Sequence, residues 1–217
     1  KLVFKYSDLP TSVSLREKKK IKSLYNIDTI LLPNGISLNK EKMIKKEKNN
    51  YLIYTGSYFY KPNKDAIDYL NNYIMPILIK KIPNLKLMLT GGGFNKKLTW
   101  IINKGTVTKA DLYKYIYFSK CLCVPLKFGS GTRIKILEAL CLGAIVISSK
   151  KGIEGIDIVS KKPPFIIDKK TKLIKEIINI IKNNNELKKR ANKSKKFYIE
   201  KYSMKRIIEK FIYENQI

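Results

Sequence analysis

Gly129-Ser130-Gly131-Thr132 runs directly into Arg133 and Lys135 at the start of a helix-forming segment. Two glycines and two hydroxyl residues at a helix start leave backbone N–H groups unpaired, add side-chain donors and face the positive end of the helix dipole. That set suits a diphosphate, and Arg133 and Lys135 put cationic charge beside it. The same spacing also serves a tight strand-to-helix turn that merely requires glycine, and both readings stand at this point. Glu138 lies in Ile136-Leu137-Glu138-Ala139-Leu140, where a carboxylate among apolar neighbours needs a partner. It can find one within its helix, in Lys135 or Arg133. Alternatively, its two oxygens can accept from neighbouring hydroxyls of a ribose.

Sites of this kind form beyond the carboxyl ends of strands in a parallel sheet, so the elements that must carry them come next. Short apolar runs alternate with amphipathic segments, the pattern of βαβ units. Strands are expected at Tyr51–Thr55, Leu85–Thr90, Lys120–Val124, Ala144–Ser148 and Phe165–Ile167, with a further short one at Gly105–Val107. Helices are expected at about Asn63–Leu78, Phe94–Ile102, Lys109–Phe118 and Arg133–Leu142. Thr108 and Asp111 have capping-box spacing, and Gly143 is placed to end the last of these helices. Beyond Lys170 the pattern is helical, with a loop at Asn183-Asn184-Asn185 and a break near Tyr202-Ser203. Small residues follow two other strands, as Gly56-Ser57 and Gly91-Gly92-Gly93. Neither a Walker A sequence nor a dinucleotide fingerprint is present.

Before the first of these strands, the chain to about Ile36 reads as an extended piece and a helix closed by Leu32-Pro33-Asn34-Gly35. Ser37 to Asn50, rich in Lys, Glu and Asn, reads as a linker.

The formal charge of +28 comes from 45 Lys+Arg against 17 Asp+Glu. A field of that size attracts polyanions. Yet Arg16, Arg133, Arg190 and Arg206 are the only arginines, and the lysines are spread among Ile and Asn along the whole chain. A nucleic-acid reader concentrates Arg and aromatic residues on one face, so no nucleic-acid partner is expected; contact with an anionic membrane surface stays open. Cys121, Cys123 and Cys141 lie in apolar runs, which fits buried thiols in a reducing compartment. There is no histidine for a mixed Cys/His zinc site. No apolar run reaches the roughly 18 residues of a membrane span and no signal peptide is evident. Starting at Lys1 within a continuing element, the chain reads as part of a longer polypeptide.

The stretch from Pro125 through Glu138-Ala139-Leu140 to Glu154-Gly155 resembles the C-terminal domain of GT-B glycosyltransferases of the family 4 type. Tyr54-Thr55-Gly56-Ser57 with Lys61-Pro62-Asn63 and Asp65-Ala66-Ile67 is similar to the opening of that domain, and Leu32-Pro33-Asn34-Gly35 to its entry. The resemblance implies a Rossmann-like α/β parallel sheet flanked by helices, the C-terminal half of a GT-B enzyme. Residues 1–38 would be the end of the acceptor domain and the connection, 39–202 the nucleotide-sugar domain, and 203–217 a helix crossing back.

On this resemblance Glu138 holds the ribose, Gly129 to Thr132 wrap the diphosphate and sugar, and the backbone of Gly105, Thr106 and Val107 reads the base. Gly56 and Ser57 lie at the donor site. The family's first motif glutamate falls on Ser130, and its Arg/Lys pair after the first strand is replaced by Ser57-Tyr58-Phe59-Tyr60-Lys61. Lys135 and Arg133 would then supply the positive charge. The implied substrate is a nucleotide sugar, UDP favoured over GDP, with no cofactor, and a glycan or lipid-linked acceptor held by the other domain; the chain lacks the Asp-x-Asp pair that holds a metal in the other large glycosyltransferase fold, so no metal is expected. The implied place is cytoplasmic, at or near the inner face of the cell membrane. Two other classes share these features: a GT-B-like nucleotide-sugar epimerase, and a basic module for polyanions or membranes.

Overall fold

The computed structural model describes residues 6–37, 50–158 and 165–215. Strands β3 (Tyr51–Thr55), β4 (Lys86–Thr90), β5 (Ile101–Asn103), β6 (Leu122–Val124), β7 (Val146–Ser148) and β8 (Phe165–Ile166) form one sheet in the order β5-β4-β3-β6-β7-β8. Every pairing in it is parallel. All five residues of β3 are buried, so its sequence is an unbroken apolar run rather than an alternating one, as expected for a central strand covered on both faces. The chain builds outward from β3 through β4 to β5, then returns to the other side of β3 for β6, β7 and β8. That reversal opens a crevice between the carboxyl ends of β3 and β6.

The sheet is preceded by a small parallel pair, β1 (Thr11–Ser12) and β2 (Ile30–Leu31), joined by α1 (Leu15–Tyr25). Helix α2 (Lys61–Tyr69) continues through a π turn at Leu70–Ile74 into α3 (Met75–Lys81). The wide turn accommodates Pro76, which has no N–H to give to the helix, and Met75 N–H reaches back to the Leu70 carbonyl. Helices α4 (Lys109–Phe118) and α5 (Ile134–Leu142) flank the sheet. Then come α6 (Lys170–Lys182), α7 (Asn184–Tyr202) and α8 (Met204–Asn215). From Ile136 to Leu142 every residue of α5 is buried, because α7 covers the side that the sheet does not. Gly143 ends α5 in the left-handed conformation (φ 73°), and Thr108 caps α4 by accepting from Asp111 N–H at 3.1 Å.

Three expectations are corrected. Phe94–Ile102 is not helical: Ile101 and Ile102 instead form edge strand β5, pairing with Leu87 and Met88. The two β-branched residues fit a pleated edge, and Asn95-Lys96-Lys97 offers no apolar face for a helix. With β5 there, Gly105–Val107 is loop rather than strand. Of the three asparagines, Asn183 alone breaks the helices, while Asn184 starts α7 and donates to the Lys120 carbonyl at 3.1 Å. The expected linker lies largely outside the described residues.

Ser203 breaks α7 from α8, where Ile36 N–H donates to Tyr202 O at 2.7 Å and Met204 N–H to Ile36 O at 3.2 Å. The incoming segment is thereby fastened to the start of the last helix. Arg16 on α1 also pairs with Glu154 in the turn after β7. Cys121, Cys123 and Cys141 are buried free thiols. Among the described residues no helix is long and apolar enough to cross a membrane.

Candidate functional site

Past the ends of β3, β4 and β5 the hydrogen-bond ladder continues into the loops. Gly56 N–H donates to Thr90 O (2.9 Å), Tyr58 N–H to Gly92 O (2.9 Å) and Gly91 N–H to Gly105 O (2.7 Å). Gly56 (φ 130°) sits where a side chain has no room: a Cβ there would come within 2.6 Å of Asn63 Nδ2 and 2.8 Å of Lys135 Nζ. Gly56-Ser57, Gly91–Gly93 and Gly105 thus form one floor on the β3 side of the crevice.

Lys135 crosses the crevice from α5 to that floor. Its ammonium donates to Asn63 Oδ1 at 3.0 Å and to the Thr55 carbonyl, and lies 4.3 Å from the centre of the Tyr54 ring. Asn63 also accepts from Tyr54 OH (2.8 Å) and donates to the Ser57 carbonyl (2.9 Å). The residue as a whole is half-buried, but its charged end is enclosed by these groups. Burial first, then the nearby Arg133 charge, pulls its pKa down to about 7.

Arg133, at the N-cap position of α5, is 9% exposed. Its Nη1 donates to the carbonyls of Ser130 and Gly131, folding the glycine loop over the guanidinium. Nε and Nη2 are buried without a hydrogen-bond partner, and among the described residues Arg133 makes no ion pair. Burial lowers its pKa from the ordinary arginine value. A buried cation with two unpaired donors is costly unless an anion joins it, and the two N–H groups form the fork that matches a phosphate or carboxylate. Ser130 and Gly131 are exposed above it, while Thr132 is half-buried and faces Gly155.

Glu138 is also 9% exposed. Its Oε1 accepts from Tyr113 OH at 3.1 Å and lies 3.9 Å from Lys109 Nζ, both on α4. Neither Lys135 nor Arg133 is its partner. Burial pushes its pKa above the ordinary carboxylate value, while the Tyr113 hydrogen bond and the Lys109 charge act against that shift. Helix α4 begins just after Gly105, Thr106 and Val107, so Glu138 stands near the first turn that this loop leads into. Gly105 is anchored by its N–H to Asn103 Oδ1 (3.1 Å), and Thr106 is exposed beside Gly92.

The singled-out residues therefore fall into two groups, Gly56, Ser57 and Gly129 to Lys135 around the crevice and Glu138 with Thr106 and Val107 around the start of α4, and Gly105, bonded to Gly91 in the floor, joins them. Sequence reasoning missed Tyr54 and Asn63, which enclose Lys135, and Tyr113 and Lys109, which hold Glu138. The spacing of Lys109 and Tyr113, one helical turn apart, was a signal that both share a face.

The family described as "Glycosyl transferases group 1" matches residues 49–183. The chain is 27% identical over 179 residues to a Klebsiella pneumoniae protein described as an uncharacterised 44.6 kDa protein in the cps region, covering 77% of this chain and 46% of that one. Among solved structures it is similar to a variant of S. aureus TarM in complex with fondaparinux, alpha-GlcNAc-glycerol and UDP (15% identity, TM-score 0.77, 96% of this chain and 44% of TarM). It is also similar to Anabaena HepE with UDP and glucose (13%, 0.75, 99% and 64%) and to the pneumococcal O-GlcNAc transferase GtfA with UDP and GlcNAc (16%, 0.68, 94% and 44%). The chain thus spans less than two thirds of each of these proteins. At such identities the structures establish a shared GT-B fold, here its Rossmann-like half. With more than half of its residues matched by the family, the chain belongs to the glycosyl transferases group 1 family.

Proposed function

We propose that this chain is the donor-binding half of a glycosyltransferase that takes a UDP-sugar and passes the sugar, with retention, to a glycan or lipid-linked acceptor held by a second domain. The observation that carries the reading is Arg133: a buried guanidinium with two unpaired donors, at a helix N-terminus under a glycine loop, awaits an anion. A diphosphate over Gly129 to Thr132 supplies it. The loop backbone and Ser130 line the phosphate and sugar, Glu138 takes the ribose, and Gly105 to Val107 take the base. Lys135 supports Gly56-Ser57 from beneath and adds positive potential when protonated. UDP in the TarM, HepE and GtfA complexes favours uridine.

In transfer, the bond between the anomeric carbon and the phosphate oxygen breaks as the acceptor oxygen bonds to that carbon, and the acceptor proton passes to the leaving phosphate. Arg133 stabilises the charge that grows there. The chain's work is positioning and electrostatics, with a metal not required.

Residues 6–37 and α8 would form the junction with the acceptor half, for which the exposed Leu15, Ile208, Ile212 and Tyr213 supply apolar surface. The lysine excess supports a further part of this reading, peripheral contact with the anionic inner face of the cell membrane. If vesicles rich in anionic lipid do not sediment it at low salt, that placement is wrong.

Calorimetric titration with UDP, GDP and ADP, with and without magnesium, tests the donor site. UDP is expected to bind in preference to the others without metal, and the Glu138→Ala protein to lose this binding. Equal weak binding of all three, abolished by salt and unaffected by the substitution, would replace the site with a merely basic surface.

A further inference from the structure

From the geometry around Glu138 we infer that Tyr113 and Lys109 are positioning residues that fix this carboxylate for the ribose and so set the discrimination between ribonucleotides and deoxyribonucleotides. The inference rests on the reading that Glu138 receives the ribose. A glutamate on a helix has three torsions to fix; the residues adjacent to Glu138 on α5 are apolar, and Lys135, one turn before it, is engaged with Thr55 and Asn63 instead. Its orientation must come from another element, and α4 provides it. Tyr113, 6% exposed, donates its hydroxyl to Oε1 at 3.1 Å. Lys109, one turn earlier, places Nζ 3.9 Å from the same oxygen and 5.5 Å from the centre of the Tyr113 ring. Both contacts fall on Oε1. Oε2 makes no hydrogen bond among the described residues, and the Glu138 side chain is 12% exposed.

One oxygen is thus held by the protein and the other is left with its acceptor capacity unused. A carboxylate so held pays its ordering entropy before the nucleotide arrives, and a hydroxyl bonded to Oε2 keeps more of its free energy as affinity. Without the Tyr113 hydroxyl the carboxylate could turn among rotamers, and burial would favour its protonated form, which accepts less well. Lys109, whose side chain is 64% exposed, contributes through charge, and salt screens that contribution.

The test compares the affinity of the full chain for UDP with that for 2′-deoxy-UDP and 3′-deoxy-UDP by calorimetry, in the wild type and in Tyr113→Phe, Lys109→Met and Glu138→Gln. The wild type is expected to favour UDP over at least one deoxynucleotide, and Glu138→Gln to erase that ratio. Tyr113→Phe is expected to weaken UDP by about tenfold while shrinking the ratio. Lys109→Met is expected to shrink it less, with the difference from wild type vanishing at high salt. A protein that folds with Phe at 113 and keeps the wild-type ratio overturns the inference while leaving the role of Glu138 intact. If that variant does not fold, the exposed Lys109 decides: an unchanged ratio at low salt overturns the inference. If the wild type and Glu138→Gln alike show no ratio, the ribose reading itself fails and this inference with it.

Discussion

Lys135 and Arg133 stand two residues apart at the start of α5, yet they meet opposite surroundings. On the β3 side, Lys135 is enclosed by the Thr55 carbonyl, Asn63 and the Tyr54 ring. Toward β6, Arg133 donates to the Ser130 and Gly131 carbonyls, and two of its donors are buried without hydrogen-bond partners among the described residues. The first region is complete without a ligand and reads as a floor. The second leaves two donors unpaired, a cost that an anion bound there would offset. Both cations qualify by residue type to neutralise a diphosphate, but only the surroundings separate the one that is enclosed from the one with donors to spare.

The sharpest way to break this contrast is Arg133→Met. UDP affinity is expected to fall by at least about 100-fold, while Tm is unchanged or higher because an unpaired buried charge has been removed. A large drop in Tm, with UDP binding retained, would make Arg133 a structural residue. Next comes Gly56→Ala, which forces a Cβ against Asn63 and Lys135 at φ 130°. Chemical denaturation should show a loss of about 2–4 kcal/mol. Gly131 offers the matched control on the other side: its φ is 76° but nothing lies within 4 Å of a Cβ there, so Gly131→Ala should cost only about 1–2 kcal/mol.

The pH dependence of stability separates the two sides further. In the folded protein Lys135 gives up its proton near pH 7. In the unfolded chain it keeps the proton to about pH 10.4. Between those values the unfolded state binds more protons, so this residue makes stability rise with pH, by up to about 1.4 kcal/mol per unit, and makes it lower below pH 7. Denaturation midpoints of wild type and Lys135→Met, measured from pH 7 to 9, should differ in slope in that sense. Parallel slopes would show that the ammonium is not enclosed.

The sequence made the sheet legible because its central strands are covered on both faces and so are written as unbroken apolar runs; Tyr51–Thr55 shows this most clearly. The glycine loop before α5 was legible because its small residues abut a helix start. Edge strand β5 was not, since three residues paired on one side leave little trace in a short run that also fits a helix. Nor were the partners of Lys135 and Glu138. Asn63 is 72 residues from Lys135 and Tyr113 is 25 from Glu138, so no local pattern joins them. Such pairs arise only when the crossovers bring α2, α4 and α5 together.

The ladder that runs on past β3, β4 and β5 restricts how this chain can vary. Gly56, Gly91 and Gly105 are joined backbone to backbone, directly or through Thr90 and Gly92. An inserted or deleted residue in one of these three loops therefore puts its neighbours out of step. Substitution can alter side chains along this rim, but the lengths of the three loops are tied together, and any change in reach must be made across the crevice, between Val124 and Ile134.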